Sequence, residues 1–281
     1  MAAGLIVIKR RIKSITNTRK ITKAMGLIAT STLRKSRKNL DVNLDYYDSF
    51  EDIMKTIASG VMGKNIYTTG NDSKKKLYIT MTSDAGLCGG FNGTVVNAAV
   101  NEISKDRENS LIMSVGQKGR GYFKRLNYDT IAEYVDIQNE PTLTEAKTIS
   151  EHALSLYNNG EIGEINIVYT KFISTVKQDV IIKKVLPFDM KEIKYDGSTE
   201  FEPEANELIE GIVSIYLKSQ VFNFLLNSKA SEQAAKMTSM DSATKNANDL
   251  LDALNLKYNR IRQSAITQEI SEIVSGAEAQ K

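Results

Sequence analysis

The chain has 281 residues, 41% hydrophobic and 25% charged, an ordinary globular composition for one or two folding units. One cysteine, Cys88, excludes an internal disulfide, and one histidine, His152, far from it in sequence, makes a zinc site or a Cys–His nucleophile pair an unpromising expectation. The formal net charge is only +3, yet residues 1–40 carry eleven basic side chains and no acidic one, leaving 26 basic and 34 acidic residues for the rest.

That asymmetry suggests an anionic partner for the basic end. A solvated face, a transit peptide, a nucleic-acid arm and a dock for an acidic protein surface all compete. Helical patterning that runs past residue 40 speaks against the transit peptide. The lack of any aromatic residue before Tyr46 speaks against base stacking by a nucleic-acid arm. No stretch approaches the ~18 uninterrupted apolar residues of a membrane span. The opening MAAGLIVIKRR puts its apolar run before its charges, the reverse of a secretory signal. Membrane association is therefore expected only through a partner.

The first element, over 1–62, is a long helix. Leu5 to Ser59 contains no proline and one glycine, Gly26, and these are the residues that break helices. Leu5, Ile8, Ile12 and Ile15 form one apolar stripe. Ile21, Met25 and Ile28 form another, offset from it, with Arg19 and Thr22 interrupting between them. Met25 reads as a core or seam residue, and Gly26 as a close helix approach or a weak spot.

The middle, 70–200, changes character and holds all three prolines. Strands are expected over 74–83, 110–116, 164–174 and 178–188, with helices over 92–106, 118–126 and 142–158 between them. Such alternation argues for a small α/β sheet, at least partly parallel, whose last two strands are close enough to pair as a hairpin. After the first strand comes SDAGLCGGFN (83–92). A glycine-rich strand-to-helix turn can cradle phosphate. Here, however, Gly86, Gly89 and Gly90 do not make G-x-G-x-x-G, and no G-K-[ST] follows. Cys88 has no base near it in sequence, so the loop reads as a tight structural turn, and GQKGRG (116–121) as a loop entering a helix. His152 reads as structural. Paired carboxylates, histidine clusters and G-x-S-x-G are all missing, which favours a mechanical or scaffolding role without cofactor or metal.

The last element, 204–281, is again a long helix. Ile212 to Ser275 contains neither proline nor glycine, a span on the order of 100 Å, too long for a globular helix. Ala247, Leu251, Leu254, Tyr258, Ile261 and Ala265 step by four and three, the a/d seam of a left-handed coiled coil. The seam next meets Gln268 and Glu272, both polar, and Ile266, Ile270 and Ile273 continue on another face.

Three segments carry a family resemblance: RIKSITNTRKITKAMGLIATSTLRKS (11–36), SDAGLCGGFN (83–92), and SEQAAKMTSMDSAT (231–244) with LNLKYNRIRQSAITQEISEIVSGAEA (254–279). Together they resemble the gamma subunit of F-type ATP synthases. The resemblance implies an α/β protein: an antiparallel coiled coil of two long terminal helices plus a central Rossmann-like α/β domain. It implies a non-catalytic rotor shaft whose partners are the alpha and beta subunits of a hexameric collar, the epsilon subunit and the membrane ring of c subunits. Its implied place is peripheral, on the cytoplasmic side of a bacterial cell membrane.

The resemblance also implies that Met25, flanked by Lys20 and Lys23, faces an acidic loop of beta in a rotor–collar contact, and that Arg262, Gln263, Thr267 and Glu269 engage the collar or support the first helix. Lys236 stands where the family usually has arginine. It keeps the charge but lacks the planar fork. Ala85 stands where the family loop commonly has a basic residue. The alternatives are a basic coiled-coil protein that binds nucleic acid, and a nucleotide-dependent enzyme built on the α/β body.

Overall fold

The computed structural model describes residues 2–190 and 199–279. The parts of the expected 1–62, 70–200 and 204–281 segments that fall on residues 1, 191–198 and 280–281 lie outside the described residues. Two compact units are present, residues 1–28 with 237–281, and residues 29–236. Two helices run from one unit into the other, α1 (Ala2–Gly60) and α6 (Ala205–Glu278).

In the first unit a 3–4 spacing organises α1. Leu5, Ile8, Ile12, Ile15, Arg19, Thr22 and Gly26 are buried or half-buried, while Ile21 and Ile28 are 60% and 66% exposed. This corrects the expected offset stripe. Arg19 and Thr22 do not interrupt the seam but belong to it, because each finds a polar partner on α6. The Thr22 and Thr244 hydroxyls lie 2.8 Å apart, and Arg19 Nη1 donates to Asn248 Oδ1 at 3.3 Å. A polar seam position is stable when its hydrogen-bonding groups are satisfied.

A Cβ added at Gly26 would meet the Cβ of Met240 at 3.5 Å, an ordinary contact. Gly26→Ala therefore fits, and removing a helix-interior glycine is expected to stabilise this unit by about 1 kcal/mol. Slower amide exchange across residues 22–30 would check it.

The second unit is a five-stranded sheet of order β3-β2-β1-β4-β5. Its strands are β1 (Lys76–Met81), β2 (Ser110–Val115), β3 (Ala132–Tyr134), β4 (Glu164–Phe172) and β5 (Gln178–Leu186). The first four are parallel, and β5 closes an antiparallel hairpin with β4. Expected strands 74–83 and 178–188 each overran the ladder by two residues at one or both ends. Strand β3 was not anticipated, since three residues with no apolar alternation carry little signal. The same holds for the one-turn α2 (Ile66–Thr69).

Alternate residues point to opposite faces. Tyr78, Ile112 and Val168 pack under α3 (Phe91–Ile103) and α4 (Gln117–Arg125). Leu77, Ile79, Met81, Met113, Val115, Ile165, Ile167 and Tyr169 face a larger core built from α5 (Leu143–Asn158) and from the α1 and α6 segments of this unit. A capping box starts α5, Thr142 accepting from the Glu145 amide and Glu145 from the Thr142 amide.

Candidate functional site

The rod unit fixes where the collar-contact candidates sit. Pairing of Thr22 with Thr244, Arg19 with Asn248 and Gly26 with Met240 shows an antiparallel register. The six seam candidates fall on its inner side: Ala247 and Leu251 are buried, and Leu254, Tyr258, Ile261 and Ala265 are half-buried. Every residue between them is exposed, and so is every described residue from Ile266 onward. Extending the register sets Ile8 level with Tyr258 and Leu5 level with Ile261. In that register the last turns of α6, beyond about residue 264, have no described residue of α1 level with them.

The candidates do not form one cluster. Lys20 and Lys23 are exposed on α1 and Met25 is half-buried. Arg262, Gln263, Thr267 and Glu269 are exposed on α6, and the Thr267 hydroxyl donates to the Gln263 carbonyl at 3.0 Å. In the observed register the two sets are separated along the rod by roughly 25–40 Å, at 1.5 Å per residue. Leu251→Asp, placing a carboxylate at a position 6% exposed, is expected to destabilise this unit by about 3 kcal/mol or more. The check is amide exchange, which should quicken over 5–22 and 244–261 and stay unchanged in the sheet.

In the second unit, the strand order reverses between β1 and β4, where open α/β sheets leave a ligand crevice at the strand C-termini. Here α6 fills it. Strand β4 outruns β1, so backbone groups at Thr170 and Phe172 have no partner strand on that side. The Ser228 hydroxyl accepts from the Thr170 amide at 3.5 Å, and Asn227 Oδ1 accepts from the Phe172 amide at 3.2 Å. The Ser231 hydroxyl donates to the Thr170 carbonyl at 3.1 Å. Side chains of one helix thus complete the ladder that a sheet neighbour would have supplied.

The glycine loop is tied into the same crest. Asp84 Oδ1 accepts from the amides of Gln117 and Asp136, and Oδ2 from that of Ile137, all at 3.0 Å. Asn92 bridges Ser83 and Cys88: Oδ1 accepts from the Ser83 amide at 2.8 Å, and Nδ2 lies 3.2 Å from the Cys88 sulfur. Cys88 is 2% exposed, and burial pushes its thiol above the usual range, so the reactive thiolate is disfavoured. Gly116 has φ +93 and a Cβ there would collide with the Thr82 carbonyl. Gly119 abuts the Thr82 hydroxyl, which accepts its amide at 2.9 Å. Gly116 and Gly119 therefore serve close packing, whereas a Cβ at Gly121 would meet nothing within 4 Å. Ala85 adds its carbonyl, which accepts from the Ser83 hydroxyl at 2.6 Å. His152 is exposed, its Nδ1 2.8 Å from the Tyr134 hydroxyl.

Lys236 sits on the last turn of α6 within this unit, and its ammonium meets Glu232 Oε1 at 3.0 Å. Sequence reasoning missed what lies two turns below. Lys229, its side chain 6% exposed, reaches Glu232 Oε2 at 3.5 Å, Asp84 Oδ2 at 3.9 Å and the Ile137 carbonyl at 3.0 Å. The available signal was a lysine amid small and polar residues in NSKASEQAAKM, which only the fold turns inward. Among the described residues no group of three or more His, Cys, Asp or Glu is placed to hold a metal ion, and no helix is long and apolar enough to cross a membrane.

A family model described as ATP synthase matches residues 4–280. An ATP synthase gamma chain of Clostridium pasteurianum is 87% identical over 281 residues, covering 100% of both chains. The chain belongs to the ATP synthase gamma chain family. Another gamma chain, of Clostridium acetobutylicum, is 63% identical over 279 residues and 99% of each chain. Among solved structures, one chain from the Euglena gracilis mitochondrial ATP synthase superposes with a TM-score of 0.76 at 18% identity, covering 100% of this chain and 95% of its own length. A chain from the central stalk and c-ring structure of the Tetrahymena thermophila enzyme gives a TM-score of 0.64 at 24% identity, covering 79% and 99%. These two likenesses speak to the gamma chain fold, and they agree with the order of sheet and helices described above.

Proposed function

We propose that the chain is the central rotor stalk of an F-type ATP synthase. It couples ion-driven rotation of a membrane c ring to ATP synthesis on an alpha/beta collar, or the reverse. The observation that carries this is the 87% identity over the full chain to an ATP synthase gamma chain. Catalysis belongs to the collar, and the chain is a non-catalytic subunit. Its place is peripheral, on the cytoplasmic face of a cell membrane, through its partners. Residues 1–62 and 204–281 supply the shaft and 70–200 the body that meets epsilon and the c ring.

Physical arguments support this reading. Two helices cannot match a threefold collar, so a two-helix shaft presents different faces to three equivalent sites and biases each in turn as it rotates. The basic side chains Lys20 and Lys23, with Met25, form the level proposed to face an acidic loop. Arg262, Gln263, Thr267 and Glu269, exposed at the α6 end, form the level proposed to bear on the collar. Lys236 is a weaker candidate, because its ammonium is already engaged by Glu232. Family membership favours this function over nucleic-acid binding, and the α6 side chains in the sheet crevice argue against a nucleotide enzyme.

The test is a tagged pull-down of the chain from gently solubilised native membranes, with an ATPase assay on the eluate. Activity together with two subunits in equal threefold excess is the expected result. A chain that elutes alone, or with nucleic acid and without ATPase, would overturn the proposal.

A further inference from the structure

Twelve consecutive residues of α6, Asn223 to Ala234, are all less than a tenth exposed. At 100° per residue they cover every direction around the helix axis more than three times. Elsewhere α6 is not enclosed in this way, and in the rod unit only its seam is covered. Much of this sleeve is polar: Asn227, Ser228, Lys229, Ser231, Glu232 and Gln233 lie in it. The apolar side chains of the sleeve resist rotation only through their packing, since burial itself is non-directional. Hydrogen bonds and ion pairs have direction, and these reach three separate structures. Asn227, Ser228 and Ser231 bond the end of β4. Lys229 bonds the Ile137 carbonyl, and Gln233 Nε2 donates to Asn139 Oδ1 at 3.2 Å. Lys229 also pairs with Asp84, whose carboxylate gathers the chain ends that leave β2 and β3.

We infer that Lys229 is a positioning residue for energy coupling, the pin that locks α6 against rotation within the α/β body and so passes torque between body and shaft. The inference rests on the rotor reading. Lys229 is suited to the task because its long arm acts away from the helix axis, where a given force yields the largest moment. Its cation is held by two carboxylates and a carbonyl on different elements. Glu232 stiffens the arm from within the helix, with its other oxygen held by Lys236.

The experiment uses the assembled enzyme in inverted membrane vesicles, comparing ATP-driven ion pumping with ATP hydrolysis. Lys229→Met is expected to keep hydrolysis while lowering ions pumped per ATP by at least about twofold, the lower range for a residue in a coupling network. Lys229→Arg, which keeps the cation, is expected to retain the wild-type ratio. If Lys229→Met does not assemble, the pair Lys229→Met with Glu232→Gln removes one buried charge of each sign, and the same lowered ratio is expected from it. A purely structural role would reduce assembled enzyme and hydrolysis together and leave the ratio unchanged, and that result overturns the inference. Failure of the rotor reading is distinct: wild-type chain would then bring down no ATPase at all.

Discussion

Phe224→Ala is expected to destabilise the α/β unit by about 4 kcal/mol, within the range for deleting a buried aromatic ring. Phe224 is 1% exposed, and its ring stacks on Tyr169 of β4 with centroids 4.1 Å apart. The edge of Tyr47, on α1, meets it at 6.2 Å. One ring therefore joins both long helices to the sheet. The polar rungs around it, Asn43 to Asn223 at 3.1 Å and Tyr47 to Gln220 at 3.1 Å, depend on the same spacing and cannot close over the cavity. Thermal unfolding followed through near-ultraviolet tyrosine dichroism would measure the loss. A change below about 1 kcal/mol would mean the cavity collapses, against the rigid packing seen here.

Asp84→Ala is expected to be comparably severe, for an electrostatic reason. It strands the amides of Gln117, Asp136 and Ile137 and removes one of the two carboxylates around the buried Lys229 ammonium. Hydrogen bonds to a charged acceptor contribute about 1.5–3 kcal/mol each, and they do not add fully, so a cost of about 4 kcal/mol is expected. Asp84→Asn keeps acceptor capacity on one oxygen and should cost roughly half as much. Exchange rates of those three amides provide the check. They should rise together in Asp84→Ala, whereas separate responses would show that the carboxylate is not their common support.

Much of this architecture was readable from sequence where a period or a breaker speaks. The absence of proline and glycine gave both long helices. The step of four and three from Ala247 to Ala265 marks the positions that the structure leaves least exposed in the upper part of α6. β-Branched runs gave four of the five strands. Polar residues whose partners are far away in sequence were not readable. Arg19 and Thr22 looked like breaks in a stripe because hydrophobicity alone was counted, while Asn248 and Thr244, more than 220 residues away, make them seam residues. Lys229 and Asp84 are separated by 145 positions, and no local pattern says that a lysine will be buried. The glycine loop showed the reverse difficulty. Its composition suggests a ligand cradle, but the Asp84 carboxylate takes the amides of Gln117, Asp136 and Ile137, Asn92 bridges Ser83 and Cys88, and α6 closes the crevice.

The way β4 is completed by α6 has a bearing on biosynthesis. Thr170 and Phe172 obtain their missing partners from residues 227–231, and α1 obtains its own from residues beyond 215. A ribosome that has translated two thirds of the message has therefore released a sheet with an open flank and a long helix with a bare apolar stripe. Neither is satisfied until the final third emerges. Maturation of this subunit waits on the end of translation, and premature termination anywhere before α6 leaves a product with exposed strand and helix surfaces fit for aggregation or proteolysis.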